Sequence, residues 1–142
     1  VLYAMDQAWW LNYLDEVKAS FGGMRCSHGH RPDVKRVRTD YFRNQGQNSG
    51  AGAIALAAHF GARTVYLLGY DCQRTGGKTH WHGDHPKGAD AKRRLGNAGS
   101  IDKWPAQFRD LLRFVPGVQI INCSRATALT VFARASLEDV LT

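Results

Sequence analysis

Apolar positions in this chain come in short groups, and their spacing separates strands from helices. Val1-Leu2-Tyr3-Ala4-Met5 is a continuous apolar run of strand length that stops at Asp6. Across residues 8–19 the apolar Trp9, Trp10, Tyr13, Leu14 and Val17 return at three- and four-residue intervals. That interval predicts a helix with one buried face. Gly22-Gly23 ends it. Short extended segments are predicted at 24–27 and 34–38, on either side of the turn-forming His28-Gly29-His30-Arg31-Pro32-Asp33. Residues 41–47 read as a polar approach to a central helix.

The stretch from Asn48 to His85 organises the rest. Asn48-Ser49-Gly50 opens a run of small and apolar residues that continues to Gly61 and predicts a buried helix. Asn48 or Ser49 would accept hydrogen bonds from its first free N–H groups. Gly50 and Gly52 would let a backbone or ligand approach closely. Thr64-Val65-Tyr66-Leu67-Leu68 predicts a buried strand, closed by Gly69-Tyr70-Asp71. A long polar loop then spans residues 70–100. Residues 102–114 predict a helix with Trp104, Phe108, Leu111 and Leu112 inward and Pro105 in its first turn. Val118-Gln119-Ile120-Ile121-Asn122 predicts another buried strand. After Cys123-Ser124-Arg125 come short helical pieces, the last capped by Ser136. Strands alternating with helices predict an α/β sandwich with a mostly parallel sheet flanked by helices. The chain opens directly in a strand without an initiating Met, so an upstream segment is expected.

Composition narrows the partners more than the fold. The formal net charge is +7, which points to an anionic partner: a nucleotide, nucleic acid or anionic glycan. The three cysteines, Cys26, Cys72 and Cys123, form no CxxC pair and read as core filler in a reduced, cytoplasmic setting. No apolar run approaches the ~20 residues of a membrane span.

Candidate chemistry clusters on the central stretch. A helix start with small residues and free N–H groups attracts anions. Ligands of α/β proteins sit at the carboxyl ends of strands, where Asp71 falls. Asp6 ends the first strand in the same way, and reads equally as a cleft residue or a solvated one. Ser124 and Arg125 come after the later strand, and Arg favours bidentate contact with phosphate. Asn48-Ser49-Gly50 reads equally as a plain helix cap. Three histidines within six residues, His80, His82 and His85, with Asp84 among them, read as functional.

Two resemblances carry these residues further. His80-Trp81-His82-Gly83-Asp84-His85 matches the HxHxDH metal signature of the metallo-β-lactamase superfamily, and such a set can ligate zinc. Its flanks differ, because Pro86-Lys87-Gly88 stands where that family continues in a helix. The Asn48-Ser49-Gly50 helix start, Val65-Tyr66-Leu67-Leu68-Gly69-Tyr70-Asp71 and Ile121-Asn122-Cys123-Ser124 together resemble a Rossmann-like group. Its members are the MptE-like 6-hydroxymethylpterin diphosphokinases, the family-42 bacterial sialyltransferases, and phage and prophage relatives of unassigned role. The resemblance implies a Rossmann-like fold whose first strand precedes Val1. It also implies a cytidine nucleotide or nucleotide-sugar donor, held by Ser49 and Gly50 at a phosphate or ribose and by Asp71 at a ribose hydroxyl. A histidine of the following loop would be the base. Gln73 stands where the sialyltransferases place a donor-supporting tyrosine.

The expected function is thus a nucleotide-binding transferase of the glycosyl- or diphospho-transfer type, with His80, His82, His85 or Asp84 in the chemistry and no tightly held metal. The alternatives are a non-catalytic phage structural or nucleic-acid-associated protein, and a metal-dependent hydrolase or nuclease.

Overall fold

The structure, a computed structural model, describes residues 1–44, 48–78 and 101–141. The first strand, β1, is Leu2–Tyr3, and helix α1 runs over Gln7–Ser20. Trp10 and Val17 of α1 are buried and pack with Val34, while Trp9, Tyr13 and Leu14 are half-buried against them. The Trp10 indole N–H donates to the Ala4 carbonyl at 2.9 Å, which ties the helix to the end of β1. Strands β2 (Arg25–Ser27) and β3 (Lys35–Arg36) come next. β1, β2 and β3 pair in that order, all parallel, with Tyr3 opposite Cys26 and Ser27 opposite Arg36.

Helix α2 (Asp40–Asn44) lies where the sequence reads as a polar approach. Tyr41 is the reason for the difference, since its side chain is fully buried in the main core. Helix α3 is Ser49–His59, and Asn48 caps it by accepting from the N–H groups of Gly50 and Ala51 at 2.9 and 3.2 Å. Strand β4 (Thr64–Leu67) pairs with β5 (Gln119–Asn122), and β5 with β6 (Ala133–Arg134), again all parallel. Between β4 and β5 stands α4 (Trp104–Leu111), which has Pro105 in its first turn and buries Phe108 and Leu111. A last short helix, α5, is Leu137–Val140, capped by the Ser136 hydroxyl.

The protein is therefore mixed α/β, with two small three-stranded parallel sheets and flanking helices, where the sequence predicts one mostly parallel sheet. Among the described residues no ladder joins the two sheets. Helices α2 and α3 connect them through side chains. Tyr41, Ala51, Ile54 and Ala55 belong to the core under β4 and β5, whereas Leu56 packs with Cys26 and Val37 of the first sheet.

Three further expectations are corrected. β4 is not a buried strand, because among the described residues it pairs with β5 alone. Tyr66 is 42% and the following Leu68 58% exposed. Leu112 faces outward, since α4 gives way to a tighter turn of 3₁₀ helix at that residue. The residues after Cys123 form no helix before α5. A hydrogen-bonded loop and β6 take their place.

Cys26 and Cys123 are buried, Cys72 is half-buried, and all three are free. No helix among the described residues is long and apolar enough to cross a membrane.

Candidate functional site

The carboxyl ends of β4, β5 and β6 open onto a cleft of about 770 Å³. Its lining comes from three places in the chain: Leu68, Gly69, Asp71 and Thr75 after β4, Cys123 to Ala126 after β5, and Arg134 to Glu138 at and after the end of β6. Parallel strands release their chains at one edge, so the residues beyond them converge there. Asp71, Ser124 and Arg125 meet in this cleft.

A buried asparagine builds its rim. Asn122 ends β5 on the inward face shared with Ile120, and it is fully buried. Its carbonyl oxygen accepts from the Ser124 N–H at 3.0 Å. Its amide donates to Thr127 Oγ1 at 3.1 Å and to the Leu129 carbonyl at 3.4 Å. Thr127 in turn donates to the Tyr70 carbonyl at 2.7 Å, and the Tyr70 N–H donates to Ser124 Oγ at 2.8 Å. The loops after β4 and β5 are thus cross-braced by side chains and backbone groups together. Ala128 N–H to the Asp71 carbonyl, at 2.8 Å, adds a further tie.

The charged groups are balanced. Arg125 and Arg134 share the cleft lining with Asp71 and Glu138. Arg134 donates to the carbonyls of Ser124 and Arg125, both at 3.3 Å, and so holds the loop that presents Arg125. Among the described residues the Asp71 carboxylate accepts one long bond, 3.4 Å, from the Thr75 hydroxyl. Ser124 Oγ accepts from Tyr70, so its own proton remains free to donate. Cys72 beside Asp71 is held at φ +50°, a left-handed conformation that costs a non-glycine residue ~1–2 kcal/mol. Its thiol is pushed up to about 11 by burial and by the Asp71 charge, which makes it a poor nucleophile.

The helix start of α3 is not part of this cleft. Tyr70, one residue before Asp71, reaches it instead. The Tyr70 hydroxyl donates to the Gly50 carbonyl at 3.2 Å, and its ring fills the space beside Gly50. Burial pushes the Tyr70 hydroxyl up to about 12, so it stays a donor. The Asn48 side chain already occupies the Gly50 and Ala51 N–H groups, while Ser49 is exposed. Gln73 is half-buried and outside the cleft lining. Asp6 is exposed at the start of α1, at the end of β1 in the other sheet. His80, His82, Asp84 and His85 lie outside the described residues. Among the described residues no three His, Cys, Asp or Glu side chains converge on a metal position.

Sequence reasoning missed Thr75, Thr127, Arg134 and the bracing role of Asn122. Only Asn122 carries a sequence signal, as a polar residue at the inward end of an apolar strand.

Compared with known proteins, the chain matches no family model, no curated protein and no solved structure.

Proposed function

We propose that the protein is a nucleotide-binding transferase of the glycosyl- or diphospho-transfer type on a Rossmann-like fold, with its donor in the cleft at the ends of β4, β5 and β6. The observation that carries this reading is the convergence of Asp71, Ser124 and Arg125 in one braced cleft of about 770 Å³. That volume suits a nucleotide-sized ligand, since small-molecule sites run to roughly 300–1,000 Å³. In this reading Arg125 takes a donor phosphate and Ser124 donates to the phosphate or ribose. Asp71 accepts a sugar hydroxyl. The mixed charge of the cleft suits a ligand that presents both anionic and hydroxyl groups. One of His80, His82 and His85 supplies the base, for which a pKa near neutrality is the ordinary property of the side chain.

The test is calorimetric titration of the protein with CMP, CDP, ADP and their sugar conjugates. At least one is expected to bind, with Asp71→Ala and Arg125→Ala each weakening it about tenfold or more, the scale of a hydrogen bond to a charged group. Binding that neither substitution weakens would remove this site from the cleft.

One observation favours a binding-only protein instead. Tyr70 fills the approach at Gly50 that a donor phosphate would use in the sialyltransferase pattern. Nucleotide binding without turnover of any sugar donor would select that reading.

A further inference from the structure

A second, smaller cleft of about 400 Å³ lies between α2, the last two turns of α3 and the turn that leads into β5. Its lining has two chemistries. Ala55, Ala58, Phe114, Val115 and Val118 supply an apolar surface, and Arg38, Arg43 and His59 supply cationic or proton-bearing groups. Among the described residues of the lining Asp40 is the one acid.

The basic groups are poorly neutralised. Arg38 comes after β3 and forms no salt bridge among the described residues. Arg43 meets Asp40 at 3.4 Å, but both side chains are largely exposed, at 62% and 75%. Such a pair holds its arginine weakly, by ~0–1 kcal/mol, and yields to a better anion. Arg113 stands 6.0 Å from the ring centre of Phe114 and adds positive charge beside the same wall. Exposed arginines beside an apolar wall offer an anion charge-assisted hydrogen bonds and offer an attached apolar body a surface to cover. The chain-wide charge of +7 draws the same class of ligand.

We propose that this cleft binds an amphiphilic anion, an apolar or aromatic body carrying a phosphate or carboxylate. Arg38 and Arg43 take the anionic head, and the body lies on Ala58, Phe114 and Val118. The site is separate from the Asp71 cleft and does not depend on the transferase reading.

Phenyl phosphate is the probe, titrated into the ¹⁵N-labelled protein and followed by backbone amide shifts. Shifts are expected at Thr39, Ala55, Ala58 and His59. Arg38→Ala should weaken binding about tenfold or more, as loss of a charged hydrogen bond does. Ala58→Leu, which fills the apolar side without touching a charge, should weaken it too and serves if Arg38→Ala does not fold. Inorganic phosphate should bind more weakly than phenyl phosphate. Benzoate separates the two head groups, the tighter of the pair naming the natural one. The proposal falls if neither probe binds, if inorganic phosphate binds as well as phenyl phosphate, or if shifts gather around Ser124 and Arg125 and ignore both substitutions.

Discussion

Tyr70 sits over Gly50. A Cβ built on that glycine would lie 2.9 Å from Cε1 of the tyrosine ring and 3.2 Å from Cζ of Phe108. The Tyr70 hydroxyl bonds to the Gly50 carbonyl, so the ring cannot swing aside without losing that contact. Alanine is the better helix former by ~1 kcal/mol, whereas overpacking a core costs ~1–3 kcal/mol. Gly50→Ala is expected to lower stability by about 1 kcal/mol or more, read by urea denaturation. In a Tyr70→Ala background the same change should become neutral or stabilising, which makes the pair strongly non-additive. Equal effects in both backgrounds would show that the ring is not what the glycine accommodates.

Asn122 is a fully buried side chain that bonds in three directions at the rim of the larger cleft. Asn122→Leu keeps the volume but strands the Ser124 N–H and the Leu129 carbonyl. Each stranded buried group costs ~1–3 kcal/mol, so a loss of about 2–4 kcal/mol is expected in chemical denaturation. Ser124 should also lose its fixed position, and nucleotide affinity should fall with it. A variant as stable as the parent would mean that the loops after β4 and β5 are held by other bonds.

His28 gives the protein a pH dependence of known sign. Its ring stacks on Phe42 at 4.5 Å, 6° from parallel, and its buried Nδ1 has no hydrogen-bond partner among the described residues. Burial, and then the charge of Arg38, lower its pKa from the ordinary 6.5, with Arg36 acting the same way and Asp6 opposing. The unfolded chain therefore takes up the proton more readily than the folded one. Stability is full above 6.5 and is lost as the pH falls through that value toward the lower folded-state one. Urea midpoints measured at intervals from about pH 8 to 5 should fall less in His28→Phe than in the parent. Arg38→Ala should raise the His28 titration midpoint seen by NMR. A parent and a His28→Phe variant with the same slope would contradict the sign.

Much of this architecture is legible in the sequence, and the illegible parts have physical causes. The Trp9 to Val17 stripe, the Asn48 cap and Pro105 declare α1, α3 and α4, because cap chemistry and helical periodicity are local properties. The apolar runs before Asp71 and Cys123 likewise declare β4 and β5. Whether a strand is central or at an edge is not local. Tyr66 and Leu68 read as core yet lie exposed, since among the described residues β4 pairs with β5 alone. Tyr41 hides a short helix in a polar stretch, because that one residue of it is fully buried while Asp40 and Arg43 stay exposed. At the candidate site, chain order brings Asp71, Ser124 and Arg125 to strand ends, and the structure gathers them in one cleft. The Gly50 approach is different. Only the fold shows that Tyr70, and not empty space, stands in front of it.

Helix α3 has a cleft's neighbour at one end and a cleft's wall at the other. Its first turn is gripped by Tyr70, whose chain neighbours Gly69 and Asp71 line the larger opening. Its last turns, with Ala55, Ala58 and His59, form a side of the smaller one. Eleven residues of helix make a strut about 16 Å long, stiff along its axis because each turn is bonded to the next. One short helix thus reaches from the residue that Tyr70 grips, beside the larger opening, to the wall of the smaller one.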